Sequence, residues 1–496
     1  MKKLCLLALL LAVVMPSLRA QKITREETFG VKYPINSLGY PSKVVPNDKG
    51  AFSYVEFWTP GQGRKFANHY LQTYDKKFDE SWFRPLTKEG SPRLNSIVDI
   101  VRMKEAIGVV GAQYSPSIKR TAYKMQLFEL DGQGKGGLAT ISNYTKKAKK
   151  GYEEVMALSP DKTKMMWLGH NPSGKYKKRD FYTTVTDQRG RRVWGKRLLL
   201  APTLDKYLVQ QAIVDNRGNA YFYMVHEEAT NTEKDTLFLP RIVRYDYKET
   251  KFSTHQLKFP GASVPEGYIH VTQKGQLAFL GVLADGSEGG FTNGAKRFET
   301  GLKWNKLVYQ KFEIQRELKQ LQSFVMDFPE SWTQRYGGDR GANFSKGEIV
   351  ERGDQLYWVM EEFYTQIHRE QLQFLFYDVA VVAIDMGSGE ISWANTFEKK
   401  QRDYKSGRLL SYALGLAKDK LNFVYLNERG AQGKILCTSL NLSDGQANTK
   451  ELARNGKATY LFFPKRSQMV DADRMMLMGV GNPVGNDYKL MEVTFE

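Results

Sequence analysis

The chain has 496 residues, 73 Lys and Arg against 54 Asp and Glu, a net charge of +19 and two cysteines. Cys5 lies inside the N-terminal apolar run, which leaves Cys437 alone in the remainder and excludes an intramolecular disulfide, so the fold has to rely on burial. The basic balance favours acidic partners such as anionic glycans or lipid head groups, whereas nucleic acid is excluded because the chain reads as exported and carries no recognised nucleic-acid motif.

The N-terminus carries Lys2 and Lys3, an apolar run from Leu4 to Met15, then Pro16-Ser17 leading to Ala20-Gln21. The run is shorter than the roughly 20 residues that span a bilayer, and the helix-breaking Pro16 precedes the small Ala20 at the expected cut, although Leu18 stands three positions before it. This predicts a signal peptide over 1–20 and a single exported domain over 21–496, periplasmic or at the cell surface, with no stable transmembrane anchor. Lys2, Lys3 and Arg19 leave with the leader, so the exported part carries +19 less three, or +16. Its charge is concentrated in clusters such as Lys146-Lys147-Lys149-Lys150, Lys175-Lys177-Lys178-Arg179 and Arg189-Arg191-Arg192.

An internal repeat organises the rest. Short apolar stretches that follow a turn-like residue begin at Gly50, Glu105, Lys162, Gly218, Gly275, Asp354, Asp419 and Asp473, spaced by 55, 57, 56, 57, 79, 65 and 54 residues. That period is close to one four-stranded propeller blade. A second landmark, a polar turn at Asp75, Asp131, Asp187, Asp246 and Asp444, follows its anchor by 25 to 28 residues. One unit reads in full: strands at Glu154–Leu158, Met165–Gly169, Phe181–Thr186 and Arg192–Leu199, with turns at 159–162 and 187–190. Nearly continuous apolar runs such as AYFYMV are expected where both faces of a blade are buried.

The overlong fifth interval carries Leu318, Leu321 and Phe324/Val325 at helical spacing, followed by the glycine-rich RYGGDRGANF. It is expected to be a helix and loop insertion over about 309–341. The last anchor leaves too little chain for a whole blade, which predicts closure by a strand borrowed from near Thr28 to Tyr33. The expected fold is therefore all-β: a β-propeller of eight four-stranded blades, or seven, with one helical insertion.

In the sixth repeat AIDMGSGEISW, residues 383–393, resembles the tryptophan docking motif of quinoprotein-type propellers, A-x-D-x-x-T-G-x-x-x-W, through Ala383, Asp385, Gly389 and Trp393. Ser388 stands for the Thr and Glu390 for the usual basic residue; shorter forms occur at Asp75–Trp82 and Asp187–Trp194. The resemblance implies tryptophans packed between blades. It does not imply the quinone cofactor, since the adjacent-cysteine pair of many such dehydrogenases is missing, and no cofactor is expected. A wider resemblance, through SPDK, VTDQRGRRVW, VDNRGNAY, YWVMEEFY, AIDMGSGEISW and FEKKQ, is to exported bacterial propeller-like proteins of unassigned role. Where that group carries acidic-Gln-Tyr-Tyr, this chain has Glu361-Glu362-Phe363-Tyr364.

Catalytic signatures are missing: there is no G-x-S-x-G elbow and no H-E-x-x-H, and the six histidines show no close metal-ligand spacing, so neither a catalytic residue nor a metal site is assigned. Counting eight positions from each anchor places Gln113, His170, His226, Glu362 and Asn427 at one rim, where they are candidates for a ligand pocket on the axis. Glu361/Glu362 is the one acidic pair suggestive of general acid/base work, but adjacent strand residues face opposite ways. A structural carboxylate paired with a Lys or Arg is the simpler reading. Three functions follow: a non-catalytic binding or scaffolding module for a protein or glycan partner in the cell envelope, a glycan-active hydrolase or lyase, and a purely structural envelope component. Oligomeric state is not legible.

Overall fold

The structure is a computed structural model that describes residues 22–29, 38–47, 50–58, 68–75, 80–85, 96–115, 120–131, 133–144, 153–170, 180–199, 207–229, 236–259, 262–285, 304–330, 332, 344–368, 371–403, 410–427, 433–454, 461–480 and 488–495. The expected signal peptide, 1–20, lies outside them. Backbone contacts divide the chain into two compact units, Tyr33–Gly407 and the pair of segments Met1–Lys32 and Arg408–Glu496.

In the longer unit, sheet 1 comprises Leu38–Asn47, Gly50–Trp58, Asn68–Asp75 and Glu80–Pro85, and sheet 2 Ser96–Arg102, Ile107–Ser115, Arg120–Phe128 and Gly134–Tyr144. Sheet 3 holds Glu153–Leu158, Lys164–His170, Asp180–Asp187 and Arg192–Leu199; sheet 4 holds Tyr207–Val214, Ala220–Ala229, Thr236–Asp246 and Lys251–Gln256. Sheet 5 is Ala262–Val271, Leu277–Asp285, Trp304–Ile314 and Leu318–Asp327. Sheet 6 is Phe344–Arg352, Gln355–His368, Gln371–Asp385 and Ile391–Phe397, with Gln401–Asp403 pairing on Phe374–Phe376. In the other unit, sheet 7 is Ala413–Ala417, Lys420–Leu426, Lys434–Asn441 and Ala447–Arg454. Sheet 8 runs Lys22–Phe29, Tyr488–Thr494, Arg474–Val480 and Leu461–Phe462, with Gln468–Met469 also on Arg474–Val480. Sheets 1 to 7 are antiparallel meanders in chain order, the up-and-down blade of a β-propeller.

The repeat landmarks are turn chemistry. Lys162, Gly218, Gly275, Gly353 and Lys418 all take left-handed backbone angles, φ +52° to +95°, in the turn between first and second strands. The later landmark is an Asx turn between third and fourth strands. The Asp carboxylate accepts the N–H two residues on at Asp131 (3.0 Å), Asp187 (2.9 Å), Asp246 (3.0 Å), Asp385 (2.8 Å) and Asp444 (2.9 Å). Each turn thus satisfies its own backbone and reverses the chain, which is why the pattern recurs at blade length.

Strand alternation distributes the apolar runs between neighbouring sheets. Along Ala220–Val225, Ala220, Phe222 and Met224 pack toward sheet 3, while Tyr221, Tyr223 and Val225 pack toward sheet 5. Leu277 and Phe279 likewise face sheet 4, and Ala278 and Leu280 face sheet 6. A Leu or Phe buried in this way contributes about 1.5–3 kcal/mol, and its truncation to Ala costs about 2–5 kcal/mol. In the other unit, Val424, Leu426, Ile435 and Cys437 of sheet 7 pack on Met475, Leu477, Met491 and Val493 of sheet 8.

The repeat Tyr152–Leu200 matches its reading to within a residue or so at each strand end. The last sheet is completed by an N-terminal strand, as expected, but by Lys22–Phe29 rather than Thr28 to Tyr33. The helical insertion is corrected. Tyr309 to Val325 is the outer hairpin of sheet 5, with Ile314 opposite Leu318 and Lys306 opposite Asp327. Gln322, Phe324 and Met326 turn inward while Leu321 and Val325 stay exposed, a period of two that cross-strand pairing imposes over the helical propensity of a Lys-, Glu- and Gln-rich segment. Among the described residues helical backbone is confined to Glu330 and Trp332 and to the 3-10 turn Pro464–Arg466. The glycine-rich stretch that was to complete the insertion lies almost wholly outside the described residues. Nor does the expectation of eight four-stranded blades hold, because sheets 6 and 8 each carry a fifth strand.

Candidate functional site

The five rim candidates occupy different settings. Gln113 lies inside Ile107–Ser115, opposite Ala122, and is half-buried. His226 lies inside Ala220–Ala229 between Tyr207 and Leu239, its ring 5.1 Å from the Tyr207 ring, which the Arg241 guanidinium covers from 4.8 Å. Glu362 sits opposite Phe344 at a bulge in the long strand Gln355–His368. These three strands run on past the counted position, to Ser115, Ala229 and His368, whereas His170 ends its strand. Asn427 follows its strand and closes a hairpin, donating its N–H to Lys434 O (3.0 Å) and accepting the Lys434 N–H at Oδ1 (2.7 Å). It belongs to the other compact unit than Gln113, His170, His226 and Glu362.

The blade motif of sheet 6 is built from one turn. Asp385 accepts N–H bonds from Gly387 (2.8 Å) and Ser388 (2.7 Å), and those bonds hold its carboxyl below the usual range. Gly389 takes φ +79° with the Phe324 ring where a Cβ would stand, 2.0 Å away. Ala383 is buried opposite Trp393, whose ring lies 5.8 Å from that of Tyr357. The shorter form at Asp187–Trp194 does link blades: Trp194 Nε1 of sheet 3 donates to Gly218 O of sheet 4 at 2.7 Å.

Glu361 and Glu362 differ in setting at the bulge between Glu361 and Phe363: Glu361 is buried and Glu362 half-buried. Glu361 Oε1 meets Lys399 Nζ at 2.7 Å, and the same ammonium donates to Gln401 Oε1 at 2.7 Å and lies 5.5 Å from the Phe376 ring centre. Lys399 is 1% exposed, and Gln373, Asp378, Gln401 and Asp403 beside this part of the sheet are buried as well. Burial pushes the Lys399 ammonium down from its ordinary value, against the pull of the Glu361 and Asp378 charges. A sealed carboxylate held by an ammonium is a poor proton shuttle toward any external substrate, so this pair fits the structural reading.

An open polar pocket of about 320 Å³ lies on sheet 7, lined by Lys420, Ser439, Asn441, Gln446, Ala447, Asn448 and Lys450. It is assembled from three adjacent strands and the turn between the last two: Lys420 stands opposite Asn441 and Ser439 opposite Asn448, with Asn422 opposite Ser439 and Cys437 opposite Lys450 behind them in the same register. The same face is apolar at its other end, where Val424 and Cys437 pack on sheet 8. Buried Asn422 accepts the hydroxyl of the lining residue Ser439 at 2.7 Å. Burial pushes the Cys437 thiol up to about 12, opposed by the Ser439 hydroxyl and by the Lys450 and Lys420 charges. Among the described residues, neither lysine has an ion-pair partner, whereas Lys434 in the same sheet meets Glu451 at 3.0 Å. None of the rim candidates lines this pocket. Its sequence signal is the polar alternation K-x-N, S-x-N and N-x-K at 420–422, 439–441 and 448–450.

Among the described residues no group of three or more His, Cys, Asp or Glu is arranged to hold a metal, and no helix is long and apolar enough to cross a membrane. No family model matches the chain, and no curated protein matches it in sequence. Solved structures resemble it at low identity. A PL25 ulvan lyase bound to a GlcA-Rha3S saccharide has 9% identity, covers 95% of this chain and 96% of its own, and gives a TM-score of 0.37. An apocarotenoid oxygenase mutant from Synechocystis has 10% identity, coverage of 96% and 93%, and a TM-score of 0.34. A protein of unknown function from Dyadobacter fermentans has 7% identity, coverage of 96% and 100%, and a TM-score of 0.32. At these scores the likenesses carry no argument about activity.

Proposed function

We propose that the chain is a non-catalytic binding or scaffolding module, exported and acting on a protein or glycan partner in the cell envelope. The observation that carries this reading is the contrast between its two polar sites. The Glu361–Lys399 pair of sheet 6 is sealed, while the sheet 7 pocket is open, cationic and lined by no carboxylate. The first is closed to an external substrate; the second presents ammonium, amide and hydroxyl groups suited to holding a polar ligand.

The test is retention of envelope proteins and of a polysaccharide panel by the full-length chain, with the same mixtures assayed for new reducing ends and unsaturated sugar products. Saturable retention without product is the expected result. Turnover of any panel member would replace the binding module with an enzyme, and no retention from extracts or panel would remove the reading altogether.

A further inference from the structure

We infer that the sheet 7 pocket is an anion subsite that takes the carboxylate or sulfate ester of an acidic sugar, bracketed by Lys420 and Lys450. The inference rests on the binding-module reading and names its ligand class. Two ammoniums without ion-pair partners at one polar recess attract an anion, while the Asp444 carboxylate of the adjoining turn is directed to the Gln446 N–H at 2.9 Å. The rest of the wall is amide and hydroxyl: Asn441, Gln446, Asn448 and Ser439 supply donors and acceptors suited to sugar hydroxyls. No aromatic ring lines it, which disfavours a stacked nucleobase, and the small apolar contribution of Ala447 disfavours a lipid tail.

The recess is also preorganised. Its turn is braced by Asn441 N–H to Gln446 O (3.1 Å), Gly445 N–H to Asn441 O (2.9 Å) and Leu442 N–H to Asp419 O (2.9 Å), and the Ser439 side chain by its bond to Asn422. Little ordering is therefore needed when a ligand enters. The exposed strand side at Asn448 leaves room for a polymer to continue beyond the bound residue.

The experiment is calorimetric titration of the full-length chain with alginate oligosaccharides (carboxylate), sulfated dextran oligosaccharides (sulfate ester) and neutral dextran of matched length. The variants are Lys420→Gln/Lys450→Gln and a charge-matched control, Lys135→Gln/Lys434→Gln, whose lysines already face Glu129 and Glu451. Thermal unfolding checks that both variants remain folded. We expect one acidic oligosaccharide to bind the parent, the pocket variant to lose at least tenfold in affinity, the control to stay within about twofold, and neutral dextran not to bind. Which acidic series binds decides between carboxylate and sulfate. Equal losses in both variants would mean binding by net charge alone and would overturn the inference. So would an unaffected pocket variant, or a parent that captures an envelope partner yet binds neither acidic series; these results leave the module reading standing. A parent that binds nothing removes both.

Discussion

Replacing Lys399 by Met tests whether the Glu361–Lys399 pair is a structural element. The methionine keeps much of the side-chain volume but removes the ammonium that meets Glu361 and Gln401 at 2.7 Å each, leaving Glu361 in a buried setting without its cation. Breaking a buried pair from one side typically costs about 3–5 kcal/mol, because the remaining charge is not resolvated. We expect a loss of that order in urea unfolding at pH 7, with most of it recovered in Lys399→Met/Glu361→Leu, which removes both charges. The pH dependence has a definite sign. Burial depresses the folded-state pKa of Lys399 below its unfolded value of 10.5, so the unfolded chain binds more protons in between. Parent stability from this group therefore rises with pH from the depressed value through 10.5, and the rise is absent from the variant. A loss below about 1 kcal/mol, or a double variant no more stable than the single, would refute the reasoning.

Two further outcomes follow from the same geometry. Gly389→Ala forces a Cβ to within 2.0 Å of the Phe324 ring at φ +79°, so a loss of about 2–4 kcal/mol is expected from backbone strain and overpacking together; thermal unfolding indistinguishable from the parent would contradict it. Cys437 is buried with its thiol pushed up to about 12, so a thiol reagent at pH 8 should label it only as fast as the protein opens. Rapid labelling of the native chain would show that the sheet 7 core is not closed.

The fold was legible where its causes are local. Lys162, Gly218 and Gly275 mark the first turn of a blade because a left-handed residue is needed there, and Asp187 or Asp444 marks the last because its carboxylate caps the turn backbone. AYFYMV showed that both faces are buried. Strand ends are less legible, since strand length varies: His226 and Glu362 lie inside strands that continue to Ala229 and His368.

By itself, the sequence determined the all-β blade repeat, because turn geometry and strand alternation act over a few residues. Tertiary structure decided the rest. Leu318 to Val325 became an edge strand only because Trp304–Ile314 pairs with it. Glu361 found its ammonium 38 positions away, a contact created by the bend of the chain into Gln401–Asp403. The sheet 7 pocket arose when three strands set Lys420, Ser439 and Lys450 on one face. Each depends on register between segments distant in sequence, which no local preference encodes.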